Sequence, residues 1–402
     1  MIFSGRIDER AFAITLREGS LTASIDERLV IACDRGGRLY SVYRDGATFR
    51  RGLDGRILQK WRGDESRQRR WLTQPEADDL LDAASESFRW LRDSVNSPHC
   101  AWAQAPDAVE HAALLPTLER AAAFDSAAAR ADAEAFARVY RPIGILPPDQ
   151  YLALVLQATE GCSFHTCTFC DLYHHPYRVK PVEEFRQHIA DVRNYLGDSI
   201  TLRQRSIFLG AANALAAPMP RLVPLFESMG QAFGASAQNV CAFVDGFTGA
   251  RKSADDYRVL AGLGLRRVYI GLESGHDPLL RFVSKPATGA DVIETVRATK
   301  SAGVSVAVIA MIGLGGDRFA EGHVADTAAT LNAMPLGAGD LIYFSTFLEQ
   351  PDTPYPALAA RHTVRPLSAA ELAAQRDAIR GRLTFGDSRP QISIYDIREF
   401  VY

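Results

Sequence analysis

Between about residues 151 and 347 the chain alternates short β-branched runs with amphipathic helical stretches, and this alternation restricts the fold more than any other feature. Strand candidates span 152–158, 206–210, 239–245, 267–273, 304–313 and 341–347. Helix signals lie between them. Pro181 with Glu183 and Glu184 opens one helix, and Gly197 follows it. Ser253 and Thr288 each stand three residues before an aspartate, and Gly303 is placed as a C-terminal stop. A run as apolar as 304–312 suits a parallel sheet covered by helices. Six such units joined by right-handed crossovers predict an α/β core, a partial (β/α)6 TIM-like barrel. An open doubly wound sheet competes with it, and periodicity does not separate the two. Both place functional groups at the C-terminal strand ends.

The first 145 residues follow another rhythm. Segments 12–25, 28–34 and 38–44 alternate like antiparallel strands, with Gly36-Gly37 as a hairpin turn. Thr73 caps a helix running to about Val95, and an alanine-rich helix is expected over 108–139. Pro142, Pro147 and Pro148 mark a boundary. The expected organisation is an N-terminal α+β accessory domain over 1–145, the core over 146–356 and a short C-terminal extension over 357–402. In that extension Ser368 caps a helix and 392–402 alternates as a strand.

A formal net charge of -3 exerts no global pull on nucleic acid or on an acidic membrane, so neither is an expected partner. No apolar run approaches the roughly 20 residues that cross a bilayer. Met1 to Arg10 carries mixed charge and no apolar signal core, which points away from secretion. Residues 50–71 do hold eight basic and three acidic side chains, interleaved with Trp61 and Trp71. They read as a solvated, partly disordered loop, with a grip on phosphate or RNA as the other reading.

Six cysteines in 402 residues make no disulfide scaffold. Cys162, Cys167 and Cys170 crowd into nine residues, whereas Cys33, Cys100 and Cys241 lie far apart. That asymmetry predicts a local thiolate site in a reducing compartment, for which the cytoplasm fits. The cluster follows the first core strand, where a β/α barrel builds its site. Three thiolates so close can wrap one cubane and leave one iron open. Zinc would need a fourth ligand, for which His165, His174 and His175 stand nearby, and structural thiols are a third reading.

Gly161-Cys162 and Cys167-Thr-Phe169-Cys170, in a strand–loop–helix setting, resemble the radical S-adenosylmethionine (radical SAM) superfamily. In that family the open iron chelates the amino and carboxylate groups of S-adenosylmethionine. One electron then yields a 5′-deoxyadenosyl radical, which takes a hydrogen atom from substrate. The resemblance implies an oxygen-sensitive enzyme with a [4Fe-4S] cluster on Cys162, Cys167 and Cys170. It also implies S-adenosyl-L-methionine as cofactor, an electron donor such as a flavodoxin or ferredoxin, and a small-molecule substrate of unknown identity. The family usually places three residues between the first two cysteines; here there are four, a C-x4-C-x2-C variant.

Other strand ends join the resemblance. Glu273 and Ser274 close the fourth strand, where related enzymes hold ribose hydroxyls or the methionine moiety. An acid that only caps the next helix is the alternative. Gly210 and Asn213 stand where the family often has Gly-Gly-Glu; the acid is missing, and Asn213 offers an amide oxygen or shapes a turn. Gly313 lets backbone approach a flat ring such as adenine, or makes a tight turn. Tyr173, His174 and His175 are candidates for the adenine pocket, and Asp245 for the substrate side or a turn. Cys241 reads as core. No second cysteine cluster and no Asp-x-His-x-x-Gly cobalamin signature occur. The competing functions are an RNA-modifying radical enzyme, resting on residues 50–71, and a non-enzymatic iron–sulfur carrier or sensor, which the open iron opposes.

Overall fold

A computed structural model describes residues 1–63, 67–173, 175–249 and 252–402. It contains two compact units. One comprises Met1–Ile143, Ala190–Arg205 and Val401–Tyr402; the other comprises Gly144–Ile189 and Ser206–Phe400.

The first unit is built on an antiparallel sheet of nine strands. In chain order these are β1 (Ile2–Ile7), β2 (Arg10–Leu16), β3 (Ser20–Ile25), β4 (Leu29–Asp34), β5 (Leu39–Arg44), β6 (Ala47–Arg51), β7 (Ile57–Arg62) and β8 (Arg67–Trp71), with β9 (Cys100–Gln104) pairing on the far side of β1. Tight turns drive the meander. Asp45-Gly46, with φ of 51° and 80°, makes a two-residue turn whose twist matches the strands it joins. Helices α1 (Gln74–Ser94), α2 (Ala108–Ala122) and α3 (Ser126–Val139) cover one face. Alternate residues such as Phe3, Ile14, Leu21, Ile31 and Phe49 share one core with Leu80, Phe88, Leu114 and Leu118.

Three expectations change here. Segment 12–25 is two strands, since the chain turns at Arg17, whose amide donates to the Ser20 carbonyl at 2.8 Å. The alanine-rich stretch is two helices, because Asp125 accepts from the Ala128 amide at 2.9 Å and starts a new one. Residues 50–71 are no loop: they form the end of β6, all of β7 and all of β8, with charges alternating across the pleat. Asp64 and Glu65 lie outside the described residues.

The second unit opens with β10 (Leu154–Gln157), followed by a short ladder of β11 (Thr159–Glu160) with β12 (Arg178–Val179). Then come α4 (Val182–Leu196), whose residues from Ala190 on count with the first unit, β13 (Ile207–Gly210), α5 (Met219–Phe233), β14 (Val240–Val244), α6 (Gly246–Gly249), α7 (Ala254–Gly262) and β15 (Leu265–Glu273). The chain continues through α8 (Asp277–Phe282), α9 (Gly289–Ser301), β16 (Ser305–Ile312), α10 (Gly316–Asn332), β17 (Leu341–Thr346), α11 (Tyr355–Arg361), α12 (Ala369–Gly381) and β18 (Gln391–Ile394). The seven main strands are parallel and ordered β10-β13-β14-β15-β16-β17-β18. A doubly wound sheet reverses its strand order partway, and this one never does, so the sheet is a partial barrel. Its end strands β10 and β18 do not pair.

The C-terminal strand joins this sheet as a seventh member and covers only Gln391–Ile394. Asp396 then accepts from the Arg398 amide at 3.1 Å and turns the chain. At the N-terminal end of the barrel, Asp149 accepts from Tyr269 Oη at 2.6 Å, Arg267 at 2.8 Å and Tyr343 Oη at 2.9 Å, tying β15 to β17. Among the described residues no helix is long and apolar enough to cross a membrane.

Candidate active site

The loop after β10 carries the three clustered cysteines, and its neck is closed. Glu160 pairs with Arg178 across β11 and β12, and the guanidinium grips both carboxylate oxygens at 2.8 Å. Gly161 has φ +69°, and a Cβ there would collide with the His175 carbonyl and lie 2.7 Å from Pro176 backbone. Only glycine fits that crossing. Farther on, Thr168 donates its amide to the Val283 carbonyl at 3.0 Å and accepts from the Tyr355 amide at 2.9 Å. Gly161→Ala combines left-handed strain with a backbone clash, so the expected result is a chain that keeps its fold but retains far less iron after desalting. Iron analysis beside a thermal unfolding scan checks this.

Cys162, Cys167, Cys170, Tyr173, Asn213 and Glu273 all open onto one cavity of about 260 Å³ at the C-terminal end of the strands. The rest of the wall is largely aromatic and aliphatic, including Phe169, Phe247, Met311 and Phe347. Burial raises the Cys167 thiol above its ordinary value, with Glu273 and Cys162 adding to the effect and Lys285 opposing it. Burial likewise pushes Cys170 up to about 11, and Cys167, Cys162 and Glu273 act in the same direction. These two thiols ionise when metal charge arrives, and with Cys162 on the same cavity the set fits a cubane with a free corner. Among the described residues no three His, Cys, Asp or Glu side chains converge as on a single ion. Cubane ligands bind separate corners and need no such convergence.

Glu273 ends β15 in the left-handed region, at φ +59°, where the register with β16 shifts. A non-glycine residue held there is strained, and such strain collects at functional positions. Its carboxylate accepts from Lys285 Nζ at 2.9 Å, with 14% and 10% of the two side chains exposed. Burial works against the Lys285 ammonium, but Glu273 and Cys167 raise its pKa overall. Gly271 leaves the room for this pair, because a Cβ there would strike Glu273 Oε1.

Asn213 follows β13. Its Nδ2 donates to Ser163 Oγ at 3.0 Å and to the Asp245 carboxylate. Its Oδ1 is buried with no hydrogen-bond partner among the described residues. Asp245 also lines the cavity and accepts from Thr248 Oγ1 at 2.8 Å and from Ser163 Oγ at 3.2 Å. Burial raises the Tyr173 hydroxyl well above its usual range. His174 lies outside the described residues.

Three expected residues stand elsewhere. Gly210 ends β13 beside Val155, and is not part of the wall. Gly313 donates its amide to Gln375 Oε1 at 2.7 Å and packs against Leu372, so it serves the turn into α10 and the seat of α12. Ser274 is fully buried; its Oγ meets His323 Nδ1 at 2.7 Å and accepts from the His276 amide at 3.0 Å. Lys285 and Ser163 escaped the sequence reading, since a lone lysine before proline and a serine beside a cysteine carry no pattern.

The Ser274–His323 contact has a pH consequence. Burial lowers His323 to about 4. The unfolded chain, with a histidine near 6.5, therefore binds the extra proton between these values. The neutral histidine's stabilisation is complete above pH 6.5 and is lost as pH falls, by about 2 kcal/mol at pH 5. His323→Gln should flatten that slope in urea unfolding of the apo chain followed from pH 7 to 5.

Residues 156–328 match the Radical SAM superfamily model. A domain of this kind implies a [4Fe-4S] cluster with S-adenosyl-L-methionine. No curated protein matches the chain. Among solved structures it is similar to the cobalamin-dependent S-adenosylmethionine radical enzyme OxsB, at 16% identity over 57% of this chain and 31% of that one, with a TM-score of 0.38. The radical S-adenosylmethionine methyltransferase TsrM from Kitasatospora setae aligns at 17% identity over 56% and 44% of the two chains, TM-score 0.41. Coproporphyrinogen III oxidase (HemN) from Escherichia coli, a radical SAM enzyme, aligns at 15% over 61% and 53%, TM-score 0.42. The chain thus covers less than two thirds of the length of each.

Proposed function

We propose that Cys162, Cys167 and Cys170 hold a [4Fe-4S] cluster in the barrel-mouth cavity, beside S-adenosyl-L-methionine, for chemistry on a small molecule. The observation that carries this reading is the opening of all three thiols, together with Asn213 and Glu273, onto one cavity. When bound, the cluster and cofactor supply a 5′-deoxyadenosyl radical that abstracts hydrogen from substrate.

The chain's own residues bind and orient. Asn213 Oδ1, buried and without a partner among the described residues, accepts from the cofactor's ammonium. Glu273, held by Lys285, accepts from the ribose hydroxyls. Phe169, Phe347 and their apolar neighbours exclude water from the reacting centre. A flavodoxin or ferredoxin in the cytoplasm supplies the electron.

Anaerobic reconstitution tests the site. The expected yield is about four irons and four labile sulfides per chain. One tightly bound zinc and no sulfide would contradict it.

A further inference from the structure

Three strand ends meet at one side-chain amide. Ser163 follows Cys162 in the loop after β10, Asn213 follows β13 and Asp245 follows β14, and all three line the same cavity. Thr248, in α6, holds Asp245 in place: its backbone amide donates to one carboxylate oxygen, and its Oγ1 donates to the other at 2.8 Å. That second oxygen also accepts from Ser163 Oγ at 3.2 Å and from Asn213 Nδ2. An amide nitrogen carries two hydrogens, and the other partner of Asn213 Nδ2 is Ser163 Oγ at 3.0 Å.

A carboxylate only accepts, so it dictates which end of the amide it meets. The hydrogen-bond network, and not the amide's own shape, sets the orientation of such a group. Turned over, Asn213 would set its oxygen against the Asp245 anion and leave its NH2 facing the other way. As it stands, both hydrogens are engaged and the atom left over is Oδ1, on a residue only 3% exposed. That oxygen has no hydrogen-bond partner among the described residues. A bare buried acceptor is costly unless a ligand's donor meets it.

We infer that Asp245 is a positioning residue for the cofactor's ammonium: by claiming the Nδ2 end of Asn213, it presents Oδ1 to the cavity as an acceptor. The acid expected after β13 is thereby replaced by two residues on neighbouring strands, an amide that touches the cofactor and a carboxylate that aims the amide. Ser163, bonded to both, ties the pair to the cysteine loop. This inference rests on the cofactor site proposed above.

The near-isosteric substitution should be the more damaging one. In Asp245→Asn the Thr248 backbone amide is a fixed donor and keeps an oxygen opposite it. The new NH2 then takes the other carboxylate position, where the Ser163 and Thr248 hydroxyls rotate to accept but Asn213 must turn over. Its own NH2 would then oppose the ammonium. In Asp245→Ala nothing forces that turn.

Equilibrium dialysis of S-adenosylmethionine against the reconstituted chain, scaled to iron content, tests this, with apo melting temperatures reporting the fold of each variant. Asp245→Asn should weaken binding roughly 10- to 150-fold, the loss of a hydrogen bond to a charged group, and Asp245→Ala by less. Asp245→Asn combined with Asn213→Asp keeps the total charge and restores an acceptor toward both position 245 and the ammonium, so binding should return to within about threefold of wild type. Should Asp245→Asn alone fail to hold iron, the double variant decides: binding near wild type supports the pairing, and no binding overturns it. Wild-type affinity in Asp245→Asn, or a greater loss in Asp245→Ala with no recovery in the double variant, would overturn this inference alone. Full iron without any binding by the wild-type chain would overturn the cofactor site and the inference with it.

Discussion

Changing Cys162, Cys167 or Cys170 singly to alanine should strip the cluster from the reconstituted chain and abolish 5′-deoxyadenosine formation. A cubane held by three protein thiolates loses a third of its anchors with each substitution. The two remaining thiols are already ligands, so they cannot supply the lost bond. The other cysteines serve as controls. Cys33 and Cys241 are fully buried in the two units, and burial pushes Cys241 up to about 12. Cys100 lies in β9. Changing these three to serine or alanine should leave iron and sulfide content intact. Iron, sulfide and the broad visible absorption of the cluster are the measurements. A Cys170→Ala chain with a full complement of four irons would refute the ligand assignment.

Glu273→Ala should weaken S-adenosylmethionine binding by about 1–3 kcal/mol, or roughly 5- to 150-fold. The substitution removes an acceptor from the cavity wall and leaves Lys285, largely buried, without its partner at 2.9 Å. Glu273→Gln keeps the shape and one acceptor oxygen, so its loss should be smaller. Gly271→Ala reaches the same contact from the backbone side, because its Cβ would press on Glu273 Oε1. It should weaken binding in the same direction. Equilibrium dialysis on the reconstituted protein measures all three. Wild-type affinity in Glu273→Ala would remove the residue from the binding site.

The barrel was legible because its signals are local and redundant. Its strands are continuous apolar runs, and Ser253, Thr288 and Ser368 each begin a helix through a reciprocal capping box. The cysteine spacing marked its loop for the same reason. What escaped depends on partners distant in sequence. Lys60 and Arg62 alternate with Trp61 as a strand requires, but a dense charge run masks that period until β6 and β8 supply the register. Asp125 ends one helix and starts another inside alanine-rich sequence, where one capping acid carries little weight. Gly313 and Gly210 show the limit for glycine, which signals a special backbone without saying whether a ligand or another side chain approaches it. Ser274 follows Glu273 directly, yet Glu273 faces the cavity and Ser274 packs on His323. Adjacency in sequence does not settle direction at a strand end.

The central claim is that the three cysteines leave an iron free for S-adenosylmethionine. The most direct measurement is the electron spin resonance spectrum of the dithionite-reduced cluster, taken anaerobically before and after adding S-adenosylmethionine. Ligation to an open iron changes its coordination, whereas binding elsewhere barely alters the signal. The wild-type chain should give a shifted spectrum, followed by slow release of 5′-deoxyadenosine and methionine without any substrate. An unchanged spectrum, with no 5′-deoxyadenosine above the Cys170→Ala background, would contradict it.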